Sequence, residues 1–188
     1  RAGGAIEALN GNLNISFSSF SSNNVNGGAG VANPGNGGAI HTSGNAAVTI
    51  QSGSLTGNEA AREGGAIWIQ GSGSLNTSSN VLFVNNSAHG PAADDGGGAL
   101  FNNGGSVVLL DTLMFANRAD GASGSGGAIF NLGGSILATN LFVGTNMANR
   151  AGGGIEDSGG TLQLNNSTLS NNSALSSPGN GGGLHITG

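Results

Sequence analysis

The chain is patterned in short apolar runs that return at a nearly constant interval. Six runs alternate apolar with polar positions: Leu13 and Ile15, Val48 and Ile50, Leu75 and Thr77, Val107 and Leu109, Ile136 and Ala138, and Leu162 and Leu164. Apolar side chains at i and i+2 describe a strand with one buried face. The third run is the weakest, because Thr77 stands where the others carry an aliphatic or alanine. Each run follows a Gly-Gly-Ala/Gly-Ile/Leu motif and precedes an apolar-x-x-Asn-x-Ala/Val motif. The glycine pairs are Gly3 and Gly4, Gly37 and Gly38, Gly64 and Gly65, Gly97 and Gly98, Gly126 and Gly127, Gly152 and Gly153, and Gly181 and Gly182, giving steps of 34, 27, 33, 29, 26 and 29 residues. That period is typical of solenoids.

The second motif sets Asn23, Asn58, Asn86, Asn117, Asn146 and Asn172 in equivalent places, and the distance from the first glycine to the closing Ala or Val is always 22 to 24 residues. Three short strands fit this module: one on the Ala-Ile of the glycine motif, one on the alternating run and one entering the asparagine motif. No helix fits, since glycine, asparagine and β-branched residues interrupt every window. The predicted fold is all-β: a right-handed parallel β-helix (solenoid) of about six coils with three short strands per coil, the hand following the rule for parallel crossovers. Stacking at ~4.8 Å per coil makes a rod on the order of 30 Å long. Residues 1–188 form a single β-helix segment, and the blunt ends beside glycine pairs read as an excerpt of a longer repeat array.

Variation is confined to the connection between the closing Ala or Val and the next glycine pair, which runs from three residues (Ala61 to Glu63, and Asn149 to Ala151) to eleven (Asn26 to Asn36). Longer loops at one corner cost little extra closure entropy. Pro34, Pro91 and Pro178 all fall in these connections, so none interrupts a predicted strand. The glycine pairs are expected to turn the chain where stacked coils leave no room for a Cβ or where φ is positive. A phosphate cradle is disfavoured, because a strand follows rather than a helix and lysine is absent. The six asparagines are expected to stack at a turn, each amide bonding backbone or the next asparagine; a ligand-binding amide row is the alternative.

Composition narrows the function classes. Charged residues make up 7% of the chain, the net charge is -5 and the cations are four arginines, so the footprint of a nucleic-acid binder or of an anionic membrane surface is missing. There are no cysteines, which excludes disulfides and thiolate metal sites. No apolar run reaches the ~18 residues that span a bilayer, so this segment does not insert in a membrane as a helix. Although 39 of the residues are glycine, a disordered low-complexity chain has no reason to hold apolar positions in register. The abundance of Gly, Asn, Ser and Thr fits an extracellular or cell-surface setting.

The best catalytic candidate is the loop from His89 to Asp95, where Asp94 and Asp95 are adjacent acids of the type that flank a glycosidic bond. Adjacent residues point apart, however, and no further acid recurs in phase on a neighbouring coil. Calcium held by Asp94, Asp95 and Asp120 is chemically conceivable, with Arg118 the only cation close in sequence. His41 and His185 occupy equivalent places but lie five coils, or ~24 Å, apart, too far to share an ion. All three histidines read most simply as surface residues. No catalytic, cofactor or metal site is assigned, and the threonines share no phase that could match an ice lattice.

Gly-Gly-Ala-Ile alternating with Phe-x-x-Asn through a strand-rich chain resembles the repeats of the polymorphic outer-membrane protein family. The strictest copies are Gly64 to Ile67 and Phe83 to Asn86. That resemblance implies a surface-exposed β-helical passenger of an autotransporter, with a role in adhesion. Some copies depart from the pattern: Leu55, Met114, Val143 and Leu169 replace phenylalanine, and Gly154 and Gly183 replace alanine. A longer period overlies the short one. Arg1 to Glu7 nearly returns as Arg150 to Glu156, and Pro34 to His41 as Pro178 to His185, so five coils make one larger unit.

The function expected from these features is a non-enzymatic, extracellular structural or adhesive β-helix rod, part of a repetitive surface protein or filament. Its expected partners are like units, joined end to end or laterally, with surface glycans as a further class. The competing readings are a carbohydrate-active β-helix, hydrolase or lyase, using Asp94 and Asp95, and a glycan-binding module without turnover.

Overall fold

A computed structural model describes residues 3–26, 35–176 and 180–188. The chain winds as a parallel β-solenoid with no helix among the described residues. The third coil shows the plan: Ile67–Gln70, Ser74–Ser78, Val81–Val84 and Ser87–Ala88 follow one another. The first three are the strands expected from the pattern. The fourth, only two residues long, follows the asparagine and was not foreseen. Equivalent strands stack into four parallel sheets of seven, six, six and five strands. Of the three prolines, Pro91 is exposed in its connection, while Pro34 and Pro178 lie outside the described residues.

Register is set by the buried columns. In the first sheet Ile40, Ile67, Leu100, Ile129 and Ile155 lie directly over one another. Val48, Leu75, Val107, Ile136 and Leu162 do so in the second, and Phe20, Leu55, Phe83, Met114, Val143 and Leu169 in the third. These residues form one continuous core running along the rod. Fully burying such a side chain contributes ~1.5–3 kcal/mol, and a one-residue slip would turn a whole column to solvent. The end coils are less well covered: Ile6, Leu13, Phe20, Leu164, Leu169 and Leu184 are only partly buried.

Two departures from the aliphatic pattern have local causes. Thr77 sits in the core at 3% exposure, and its Oγ1 lies 2.7 Å from that of Thr112 on the next coil, so the hydroxyl is satisfied. In the first sheet Ile67 and Ile69 face inward, and Trp68 between them faces out. Even so, Trp68, Phe101 and Phe130 are buried and form a second apolar cluster with Leu132 against it. His41 stacks on Trp68 with centroids 4.6 Å apart. It is half-buried rather than a simple surface residue, which corrects the expectation for that histidine.

Candidate functional site

The two glycines of each pair are required for different reasons. Gly64 has φ of 64°, and a Cβ there would lie 2.3 Å from the Ile67 carbonyl oxygen. Gly65 has ordinary dihedrals, but its Cβ would meet the carbonyl oxygen of Gly98, one coil on, at 2.0 Å. Any larger residue would push the coils apart. The first glycine of every pair has positive φ, and the described second glycines up to Gly127 meet the next pair in the same way.

The six asparagines form a column of side-chain hydrogen bonds. Asn86 illustrates an interior rung: its Nδ2 donates to the Leu55 carbonyl and to Asn117 Oδ1, both at 2.9 Å. Its Oδ1 accepts from the backbone N–H of Asn58 and from Asn58 Nδ2, again at 2.9 Å. Both amide donors and both acceptor positions are thus filled. Asn117 and Asn146 repeat the pattern, reaching Phe83 and Met114 carbonyls behind and Asn146 and Asn172 in front. Asn23 and Asn172 are half-buried end rungs. Each asparagine follows a residue in the left-handed region: Ser22, Gly57, Asn85, Ala116, Thr145 and Asn171 have φ between 54° and 61°.

A second buried polar column was missed by the sequence reading. Asn102, Asn131 and Asp157 project from the first sheet into the core and are at most 3% exposed. Asn102 Nδ2 donates to Asn131 Oδ1 at 2.8 Å, and Asn131 Nδ2 to Asp157 Oδ1 at 2.7 Å. Asn102 also closes a turn by bonding both the N–H and the carbonyl of Gly105. The available signal was positional, since all three stand five residues after the first glycine of their coil, where Ile69 and Ile186 are apolar.

The connection corner gathers the ionisable groups. Asp95 is 1% exposed; it pairs with Arg62 of the preceding coil and accepts the Ala92 N–H at 2.9 Å. Asp94 is exposed, so the two adjacent acids point apart. The acid that does approach Asp95 is Glu63, and the cation is Arg62 rather than Arg118; neither was foreseen. Glu63 Oε2 accepts from Trp68 Nε1 at 2.9 Å and Asn36 Nδ2 at 3.0 Å, with Arg62 Nε 3.3 Å from Oε1. Burial pushes the Glu63 carboxyl up to about 7, against the lowering effects of Trp68 and Arg62, and Asp95 adds to the rise.

The remaining acids are engaged singly. His89 Nδ1 lies 2.6 Å from Asp120, and that contact raises the histidine above its usual value against the opposing effect of burial. His185 Nδ1 lies 2.9 Å from Glu156 Oε2; burial raises Glu156 despite this partner. Burial also holds His41 below the ordinary imidazole value, although Glu7 opposes the shift. Asp94, Asp95 and Asp120 do not converge, and no group of three or more acids or histidines among the described residues could hold a metal ion.

Residues 80–103 match the Chlamydia polymorphic membrane protein repeat. The matched stretch holds Phe83, Asn86, Gly97 and Gly98, the positions that build the two corners. The match and the stacked coils together fit a polymorphic outer-membrane protein type β-helix repeat. No curated protein and no solved structure matches it.

Proposed function

We propose that this β-helix is a non-enzymatic section of a surface-displayed rod that acts in adhesion and scaffolding. The observation that carries the reading is the stack of coils whose asparagine column and buried inner acid are spent on the stack itself. The asparagine amides are saturated by neighbouring rungs, and Asp95, the inner half of the acidic pair, is locked under its loop by Arg62. The family match supports a place at the outer membrane or cell surface. Association with like units belongs to the same reading, favoured by a chain in which only 7% of residues are charged.

The test is accessibility on intact cells that produce the protein. Antibody raised against residues 1–188 is expected to label unbroken cells, and external protease to remove the label. Beads coated with the chain are expected to adhere to a surface that uncoated beads do not hold. Labelling only after lysis would overturn the surface reading, and equal retention of coated and bare beads would overturn the adhesive one.

A further inference from the structure

The outer face of the third sheet changes character in mid-rod. One outward row, in register from coil to coil, reads Ser19, Ser54, Leu82, Leu113, Phe142 and Thr168. The three central members are apolar, and Leu82 is 38% exposed. Phe142 lies across Gly144, where a Cβ would come within 2.3 Å of the ring, so the ring rests on the sheet and stays half-exposed. Beside this row runs the corner between the second and third sheets, with Asn80, Asp111 and Asn140 in the left-handed conformation. Asn140 Nδ2 donates to Asp111 Oδ1 at 2.8 Å and its Oδ1 accepts from Asn166 Nδ2 at 2.6 Å, so among the described residues the other Asp111 oxygen and the Asn80 side chain are the groups left for a ligand, with the second Asn140 amide proton beside them. A cleft of about 270 Å³ lies between apolar row and polar row.

From this arrangement we infer that the cleft is a binding site for a neutral glycan chain. A pyranose ring has an apolar C–H face and an edge of hydroxyls; the row of Leu82, Leu113 and Phe142 fits the first, and Asn80, Asp111 and Asn140 fit the second. Such mixed lining, apolar floor with a few convergent polar groups, is what small-molecule sites share. Both rows repeat at the strand spacing of ~4.8 Å, so a ligand with repeating hydroxyls meets repeating partners. The cleft holds the space of ~9 waters at ~30 Å³ each, which suits one or two sugar rings. A stable protein partner needs ~800 Å² per side, more than three short strands supply. Charge selects the glycan class. Asp111 is the one ionic side chain lining the cleft, and the chain carries a net charge of -5, so sulfated and uronic polymers are repelled.

The inference rests on the surface-adhesion reading and is tested separately from it. Isolated residues 1–188 are titrated with cello-, xylo-, malto- and chito-oligosaccharides and with heparin, following amide NMR shifts and calorimetric heats. At least one neutral series is expected to bind saturably, with shifts centred on residues 80–84, 111–115 and 140–144. Phe142→Ala and Leu113→Ser are each expected to weaken that binding about tenfold, equivalent to ~1.4 kcal/mol, while circular dichroism shows the fold retained. Asp111→Asn is expected to narrow the preference for neutral over sulfated chains. Absence of neutral binding, binding that survives both apolar variants, heparin binding as tight as the neutral series, or a dimer abolished by Phe142→Ala would each overturn the assignment. None of these outcomes bears on labelling of intact cells, which decides the surface reading.

Discussion

Two corners of the same coil solve the burial of polar groups differently. At the asparagine corner every coil uses one residue type, neutral, with the same bonds to the coils on either side. At the connection corner each coil uses its own partners: Arg62 with Asp95, Glu63 with Trp68, His89 with Asp120, and Arg150 with the Ala93 carbonyl. The backbone of the first corner is identical in each coil, so one side chain satisfies it everywhere. Connections of three to eleven residues present different backbone groups, and each needs separate chemistry. The repeated corner therefore holds no titratable group in its column, whereas the variable one holds several and owes its stability to pairs that differ from coil to coil.

The largest expected effect comes from breaking the first corner in mid-rod. Asn117→Ala leaves the Asn86 N–H and one Asn86 amide proton without an acceptor and the Phe83 carbonyl without its donor. Orphaned buried groups cost ~1–3 kcal/mol each, so a loss of about 4 kcal/mol is expected, lowering the melting temperature by roughly 10 °C. Asn23→Ala at the half-exposed first rung should cost about 1 kcal/mol or less. Equal losses at the two positions, measured by thermal or urea unfolding, would contradict a column whose strength depends on burial.

Asp95→Ala attacks the other corner. It frees Arg62, whose side chain is 40% exposed and can turn to water, and strips the Ala92 N–H of its acceptor. A loss of about 3 kcal/mol is expected, at the low end for breaking a buried pair because one partner stays wet. Limited proteolysis should then cut within residues 89–95, whereas Asn117→Ala should show no new cut at that loop. Cleavage at the same site in both variants would mean that the corners are not energetically separate.

How far the sequence disclosed these corners follows from the same contrast. Gly64 and Gly65 recur with their neighbours because each coil imposes the same clash, and the asparagines recur because each coil offers the same carbonyl. Repetition made both visible, and the three main strands with them. The two-residue strand at Ser87–Ala88 is too short to carry an alternating pattern. Glu63 gave no signal because its meaning depends on Trp68 and Asp95, five residues and a whole coil away. Asn102 and Asn131 replace aliphatic positions on only two coils, joined by Asp157 on a third, so they look like interruptions of the apolar column rather than a network. The left-handed corner that holds Ser22, Ala116 and Thr145 was hidden because chemically unlike residues share it.

Titration should separate the corners by a smaller amount. Glu63 is raised from its ordinary value to about 7, so the folded chain binds its proton more tightly than the unfolded one. The stability this provides is full below pH ~4.5 and is lost as pH rises through about 7. Discounted for a partly hydrated site, the loss is about 2 kcal/mol between pH 5 and pH 8. Glu156 and His89 act in the same direction and His41 in the opposite one, so the measurement is the difference between the native chain and Glu63→Gln. The variant keeps a neutral acceptor for Trp68 and should melt with a flatter pH profile. Parallel profiles would show that Glu63 is not protonated in the fold; Asn86→Ala should leave the profile's slope unchanged.

The smallest effect sharpens the comparison at the level of the backbone. Thr145, exposed at the turn before Asn146, has φ of 56°, where a β-branched residue is strained and asparagine is tolerated. Equivalent turns already carry Asn85 and Asn171 at φ of 54° and 56°. Thr145→Asn should therefore stabilise the rod by about 0.5–1 kcal/mol, raising the melting temperature by roughly 2 °C. Ala93→Asn is the matched control: Ala93 is exposed in a connection and is absent from the positive-φ positions, so asparagine relieves nothing there. A gain at Thr145 with none at Ala93 shows that the repeated turn selects its residue through backbone conformation. Equal responses would mean that asparagine favours exposed turns in general, and the geometric distinction between the corners would fail at its most local step.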